Sequence, residues 1–182
     1  PAVIREFYPH RPNVIARLPG RVCSKSLLIT PHLDTVPAGQ GWKTDPFSAV
    51  IKAGKLFGLG ATDCKGNLAV ALEVMRSLVR EKCRLEYNLV FAATADEESG
   101  STYGLIPLIK SGMLQVDAAV VLDADDFEIV VAQKGLMHLK VSVRGTKAHG
   151  AYPWLGVNAI EKSMDILNAL RKHRFVYDRN PL

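Results

Sequence analysis

One histidine and several acidic residues stand directly after apolar segments of the sequence, at the points where strands would end. In chain order they are His32 with Asp34, Glu97 with Glu98, and Asp123. In α/β proteins, ligands and catalysis are placed at the ends of strands. Imidazole and carboxylate groups at such positions predict a site that binds a metal or transfers protons.

Two adjacent carboxylates, those of Glu97 and Glu98, close a nearly unbroken apolar run, residues 89–95. Their mutual repulsion and desolvation are costly unless a positive group compensates them, and a bound cation would do so. One carboxylate could then bind the cation while the other accepts a proton from the attacking water. A solvated acidic loop is the alternative interpretation.

The sequence around His32 and Asp63 also allows metal binding. A histidine at a strand end can bind a metal through one ring nitrogen while a nearby carboxylate, here Asp34, fixes the other nitrogen. Asp63 precedes a predicted helix start, where exposed backbone N–H groups favour an anion. Taken alone, His32 and Asp34 could also be a surface histidine and a turn-forming aspartate. Asp63 could likewise be a helix cap.

The acidic run that begins at Asp123 leaves a choice of functional residue. Asp123 directly follows an apolar segment, but Asp125 or Asp126 could be the functional member, and the run could be a solvated turn. The order of the residue types favours one shared site, because each successive supersecondary unit contributes about one candidate residue, in the order His, Asp, Glu and Asp.

Hydrophobic periodicity predicts the elements that must position these residues. Short apolar runs predict buried strands at 14–18, 27–30, 89–95 and 118–122, with 89–95 covered on both faces, and a hairpin at 49–58. Helical spacing predicts helices at 66–81, 105–110 and 157–173. We therefore expect an α/β domain over residues 1–135, with a mixed twisted sheet flanked by helices on both faces.

The sequence pattern changes near residue 136. From Met137 to Val143, apolar and polar residues alternate, which predicts a strand with one face in water. We interpret this strand and the helix at 157–173 as the beginning of an α+β second domain over residues 136–182.

Composition and charge argue against several classes of protein. With 48% hydrophobic and 23% charged residues among 182, the chain is typical of a globular protein. The net charge of +5 comes from scattered basic residues, which argues against nucleic-acid binding. No apolar run reaches the ~20 residues of a membrane helix and the first residues lack a secretory pattern, so we expect a cytoplasmic protein. Cys23, Cys64 and Cys83 are widely spaced and are interpreted as reduced thiols.

Five segments together resemble one known family, that of the zinc exopeptidases and deacylases. The segments are 32–37, 41–47, 58–66, 95–100 and 147–153, which read HLDTVP, GWKTDPF, GLGATDCKG, ADEESG and KAHGAYP. The family includes acetylornithine deacetylase, succinyl-diaminopimelate desuccinylase, aminoacylase, glutamate carboxypeptidase and several dipeptidases. The segments span nearly the whole chain in the family's order and spacing.

The resemblance implies a two-metal site. His32 and Asp123 would bind one metal, Glu98 would bind the other, and Asp63 would bridge both. Imidazole and carboxylate ligands suit Zn²⁺, two per complete site, with Co²⁺ or Mn²⁺ as possible replacements. Family members similar to this chain have a cis peptide bond after the bridging aspartate, so a cis bond between Asp63 and Cys64 is expected.

The resemblance also implies catalytic and substrate-binding roles. Glu97 would be the general base that activates the attacking water and then protonates the leaving nitrogen, while Asp34 would orient His32. His149 would lie in a ferredoxin-like lid and dimerisation domain. From there it would reach the active site of the partner in a homodimer and bind the carbonyl or carboxylate of the substrate.

The function implied by the resemblance is hydrolysis of an amide bond in a small N-acyl amino acid or peptide with a free carboxylate. The family's deacylases usually have glutamate where this chain has Asp123, whereas its dipeptidases often have aspartate. A dipeptidase or aminopeptidase is therefore one alternative, and a catalytically silent homologue that acts as a binding or assembly subunit is another. The resemblance further implies a catalytic domain incomplete at both ends and a truncated lid, so we expect the chain alone to be inactive.

Overall fold

A computed structural model describes residues 2–124 and 128–176 of the chain. The chain divides into two compact units, Pro1–Glu128 and Ile129–Leu182. The boundary that the sequence predicted near residue 135 lies inside the second of these units.

The described part of the first unit contains a five-stranded sheet, a hairpin and two α-helices, the first of which follows a π-helical turn, Ala61–Gly66. The sheet strands are β1 (Ala2–Glu6), β2 (Pro12–Leu18), β3 (Val22–Thr30), β6 (Tyr87–Ala93) and β7 (Ala118–Val121). The hairpin strands are β4 (Val50–Lys52) and β5 (Lys55–Phe57), and the helices are α1 (Asn67–Arg80) and α2 (Leu105–Lys110). Each corresponds to a predicted element except β1.

The sheet is mixed, as predicted, with the strand order β1-β2-β6-β3-β7. Strand β2 runs antiparallel to β1 and β6, whereas β3 runs parallel to both β6 and β7. In the parallel register Thr30 pairs with Val121, and just beyond the strand His32 forms a bridge with Thr94. The carboxyl ends of β3, β6 and β7 therefore lie side by side.

Helices cover both faces of the sheet, which confirms the predicted layers. On one face Val90 and Ala92 belong to a buried cluster with Leu108 of α2. On the other face Phe91 and Ala93 pack in a cluster with residues of α1, Ala71 and Met75. Because β6 is buried on both faces, its sequence is almost continuously apolar instead of alternating.

The prediction that 118–122 is a buried strand was correct about the strand and wrong about its burial. All four residues of β7 are exposed. The reason is its place in the sheet, since among the described residues β7 pairs only with β3 and forms an edge.

The second unit contains the predicted helix but lacks the predicted strand. Helix α3 (Ala159–Lys172) begins after Asn158, whose side-chain oxygen accepts a hydrogen bond from the amide of Ile160 at 3.0 Å. Residues 137–143 form no strand. An alternating segment becomes a strand only when a neighbour pairs with its backbone, and the described residues supply none.

The helices of the first and second units are short. Helices α1 and α3 have 14 residues each, and α2 has six. Within 2–124 and 128–176, the helices include none that is long and apolar enough to cross a membrane.

Gly104, at the start of α2, offers a test of how closely the loop after β6 is packed. A methyl group added at Gly104 would overlap the main-chain carbonyl oxygen of Ala95. We expect Gly104→Ala to lower the free energy of unfolding by at least the ~1–3 kcal/mol typical of overpacking, measured by urea denaturation.

The matched control is Gly39→Ala, because nothing lies within 4 Å of a methyl group added there. Its stability should stay within about 0.5 kcal/mol of the unaltered protein. Equal stability of the two variants would show that the loop after β6 is not closely packed at Gly104.

Candidate metal centre

His32 lies just beyond β3 with only 3% of its surface exposed. Its Nε2 atom is 2.7 Å from Oδ1 of Asp63, and its Nδ1 atom is 3.0 Å from the main-chain oxygen of Asp34. Because a carbonyl oxygen only accepts hydrogen bonds, Nδ1 carries a proton. The carboxylate of Asp63 is also an acceptor, so its hydrogen bond with His32 requires a second proton on Nε2. A bound cation could take the place of that second proton, because a neutral histidine with its other nitrogen held by a hydrogen bond is a common metal ligand.

The pKa of His32 is raised by its surroundings. Burial by itself would lower this pKa, but the hydrogen bonds to Asp63 and Asp34 outweigh it, and the negative charges of Asp63 and Glu97 act in the same direction. The pocket around His32 therefore favours a positive charge.

Asp34 contacts both the ring of His32, which the resemblance implied that it orients, and the acidic pair. Its contact with His32 is made by its main-chain oxygen, since the nearest carboxylate oxygen is 3.6 Å from Nδ1. The two carboxylate oxygens instead accept hydrogen bonds from the amides of Glu97 and Glu98, both at 3.1 Å. Asp34 thus connects the ring of His32 with the backbone of the acidic pair.

Glu97 and Glu98 follow the central strand β6, as the sequence predicted. Oε1 of Glu98 accepts a hydrogen bond from the amide of Val36 at 3.2 Å. The pKa of Glu97 is raised by burial and by the charges of Asp123, Glu98 and Asp34, while His32 opposes the shift. A carboxylate with a raised pKa is better suited to accept and return a proton near neutral pH.

Asp63 lies between β5 and α1, and the peptide bond from Asp63 to Cys64 is cis, as the resemblance implied. Cys64 is fully buried, and burial raises the pKa of its thiol to about 11. The sulfur accepts a hydrogen bond from the amide of His32 at 3.0 Å and donates to the oxygen of His32 at 3.4 Å. Sequence reasoning treated Cys64 only as a reduced thiol, and its position next to Asp63 was the available signal.

Asp123 is partly buried at the end of β7. It stands two residues beyond Val121, as His32 stands two residues beyond the paired Thr30, so both reach the same edge of the sheet. The charge of Asp123 raises the pKa of both Glu97 and Cys64. The alternatives Asp125 and Asp126 lie outside the described residues.

Donor atoms of His32, Asp63 and Cys64 lie within 4.8 Å of one another. The imidazole and carboxylate donors fit Zn²⁺, which binds nitrogen, oxygen and sulfur ligands. The thiol of Cys64 is less suited to binding because both of its hydrogen-bonding capacities are used by His32. Glu98 and Asp123 line the same edge, and their assignment as ligands remains a prediction.

Two buried polar residues that sequence reasoning missed support the turn after β6. Asn13 donates from Nδ2 to the oxygen of Tyr103 at 3.0 Å and accepts at Oδ1 from the amide of Ala95 at 3.0 Å. Asp96 accepts from the amide of Tyr103 at 3.0 Å and has a positive φ of 67°. The one sequence signal for Asn13 is a polar residue at the start of an apolar strand.

His149 belongs to the second unit and is exposed. Its Nδ1 atom accepts a hydrogen bond from the amide of Ala151 at 3.2 Å, and its ring centroid is 5.8 Å from that of Tyr152. In the neutral ring the proton is therefore on Nε2, which is left to donate a hydrogen bond. Delivery of this donor to a partner's site remains a prediction.

Comparison with known proteins identifies relatives that match most of the chain. The model of a family described as peptidase family M20/M25/M40 matches residues 28–171. The chain is 34% identical over 161 residues to the succinyl-diaminopimelate desuccinylase of a Wolbachia species, which covers 83% of this chain and 40% of that protein. It is also 34% identical over 159 residues to the acetylornithine deacetylase of Proteus mirabilis, covering 85% and 40%.

A solved structure shows the same similarity in three dimensions. Human carnosine dipeptidase 1 superposes with a TM-score of 0.56 at 27% sequence identity, covering 67% of this chain and 29% of that one. The chain thus spans less than half the length of each of these relatives.

Proposed function

This chain belongs to the peptidase family M20/M25/M40, and from that membership we propose that the intact protein is a metal-dependent hydrolase. Its substrate would be a small N-acyl amino acid with a free carboxylate, and its products a carboxylic acid and an amine. The similarity to a desuccinylase and a deacetylase supports this substrate class.

One observation carries the proposal: the ends of β3 and β6 bring the buried imidazole of His32 and the carboxylate of Glu97 to one edge of the sheet. Nε2 of His32 lies 2.7 Å from Oδ1 of Asp63, while burial and nearby negative charges raise the pKa of Glu97. A general acid or base with a shifted pKa beside a metal-binding group is typical of a hydrolytic site.

His32, Asp63 and Asp123 would hold one Zn²⁺, and Glu98 together with Asp63 would hold a second. Bound Zn²⁺ supplies Lewis acidity, which polarises the scissile carbonyl and makes water more acidic. The donor atoms fit Co²⁺ or Mn²⁺ as replacements.

Glu97 would take the proton from the attacking water and return it to the leaving nitrogen. Its backbone is held for this task by the carboxylate of Asp34, which accepts from the amides of Glu97 and Glu98. Because the main chain is fixed at two successive residues, the two adjacent carboxylates can keep separate roles.

We also propose that His149 contributes to substrate binding in a homodimer, with the second unit acting as part of a lid. The support is local: the amide of Ala151 occupies Nδ1, so the neutral ring presents an Nε2–H donor at an exposed position. Such a donor suits the carbonyl or carboxylate oxygen of a substrate.

A dipeptidase on the same scaffold is the second candidate function. The observation that favours it is the aspartate at position 123, because dipeptidases of the family often have aspartate there. The structural similarity to carnosine dipeptidase 1 supports it as well.

We expect the intact protein to hydrolyse N-acetyl or N-succinyl amino acids, to lose that activity after treatment with a chelator, and to regain it with Zn²⁺. The measurement is product amine release across a panel of acyl amino acids and dipeptides, before and after chelation. Faster turnover of dipeptides would favour the second candidate.

Two outcomes of that assay would contradict a metal-dependent hydrolase. Activity that survives complete metal removal would exclude the metal centre from catalysis. Stoichiometric Zn²⁺ with no turnover of any amide in the panel would instead favour a catalytically silent binding subunit.

A further inference from the structure

Two side chains on the segment that follows Asp63 reach the main chains of two other proposed ligands. Cys64 contacts His32, and Asn67, the first residue of α1, contacts Asp123. Both contacts link parts of the chain that are distant in sequence, and both lie at the edge of the sheet where the metal would bind.

Cys64 holds His32 through a pair of reciprocal hydrogen bonds. The amide of His32 donates to the sulfur at 3.0 Å, and the thiol donates to the oxygen of the same residue at 3.4 Å. The thiol is fully buried, so no water competes for these bonds. They fix both main-chain polar atoms of His32 just beyond the end of β3.

Asn67 holds Asp123 by a single short bond, from its Nδ2 atom to the main-chain oxygen of Asp123 at 2.7 Å. The carboxylate of Asp123 in turn accepts from the amide of Ala124 at 2.7 Å. The side chain of Asp123 is thus oriented by its own turn, while Asn67 fixes that turn against the start of α1.

We infer that Cys64 and Asn67 are positioning residues that set the spacing of His32, Asp63 and Asp123 around one metal. One short segment, 63–67, would carry one ligand and hold the backbones of the two others. This inference rests on the metal centre of the proposed function, and it assigns roles to two residues outside the ligand set.

The test measures the affinity of the intact protein for Zn²⁺ by competition with a chromophoric chelator. Asn67→Leu removes the donor without adding charge, and Cys64→Ala removes both bonds to His32. We expect each variant to bind the tighter Zn²⁺ about tenfold more weakly, the lower end of the effect of residues that orient metal ligands. Cys64→Ser keeps a donor and an acceptor and should recover part of the lost affinity.

Matched controls exist elsewhere in the first unit. Asn88 donates from Nδ2 to the main-chain oxygen of Cys23 at 2.7 Å, the same bond as that of Asn67. Cys23 donates to the oxygen of Gly20 at 3.4 Å, the same length as the thiol bond of Cys64. Asn88→Leu and Cys23→Ala should leave Zn²⁺ affinity unchanged, even where they lower the melting temperature.

The visible spectrum of the Co²⁺-loaded protein gives a second readout that a general loss of stability would not move. We expect the ligand-field bands to change in Asn67→Leu and Cys64→Ala but not in the controls. A sulfur-to-cobalt charge-transfer band that disappears in Cys64→Ala would show that Cys64 is itself a ligand, and would overturn its positioning role.

The remaining outcomes separate this inference from the proposed function. If the unaltered protein takes up no stoichiometric Zn²⁺, the metal centre fails and the inference fails with it. If it binds Zn²⁺ tightly and both variants bind equally tightly, only the inference is overturned. Should Asn67→Leu not fold, Asn67→Ser removes the same amide with less bulk and carries the same expectation.

Discussion

The turnover of the Glu97→Gln variant of the intact protein is expected to fall about 10²–10⁴-fold, because this is the usual contribution of a general base, while its metal content stays unchanged. Glutamine preserves the shape of the side chain but cannot accept the proton of the attacking water. The amide of residue 97 would still donate to Asp34, so the backbone that carries the proposed ligand Glu98 should not move.

The measurements are initial rates on an acyl amino acid and metal content by atomic spectroscopy. The control is Glu86→Gln, which changes an exposed glutamate paired with Arg21 at 2.8 Å and should turn over normally. Near-normal turnover in Glu97→Gln would remove Glu97 from the proton-transfer step. Loss of metal would instead identify it as a ligand.

The second large effect is expected for Asp34→Asn. The carboxylate of Asp34 accepts two hydrogen bonds from successive amides, and asparagine can accept only one while its NH₂ group faces the other N–H. We expect kcat/KM to fall about 100-fold, the upper end of the effect of residues that support metal ligands, since both Glu97 and Glu98 depend on it.

Asp117→Asn is the matched control for this change. Its carboxylate also accepts a hydrogen bond from a main-chain amide, that of Ser26 at 2.7 Å, but in the middle of β3 and not beyond its carboxyl end. It should retain nearly full kcat/KM. Equal kinetics of the two variants would refute the role of Asp34 in holding the acidic pair.

The strands and helices of the first unit were largely predictable because its core residues form continuous apolar runs or recur at helical spacing. The nearly unbroken apolar run around Val90 predicted a strand covered on both faces, and the helical spacing of Ala71 and Met75 predicted the helix that covers one of them. Strand β1 was not predicted because its five residues are all exposed and show no periodic burial.

The residue types of the candidate site were predictable, whereas its contacts were not. His32, Glu97 and Asp123 were identified because they follow predicted strands, and strand position can be inferred from local sequence. The hydrogen bonds of Asp34 and Asn67 depend on tertiary register, which local sequence does not encode. The failed strand at 137–143 has the same cause, since a strand requires a neighbour.

The parallel register that pairs Thr30 with Val121 has a consequence for the unfolded chain. It brings together two proposed ligands, His32 and Asp123, that are separated by most of the first unit's sequence. A metal held by both would act as a reversible cross-link that closes a long loop, and the entropy of that loop is lost whenever the link forms. Such a metal would couple binding to folding, so we expect chelation to lower the stability of the sheet as well as the proposed hydrolytic activity.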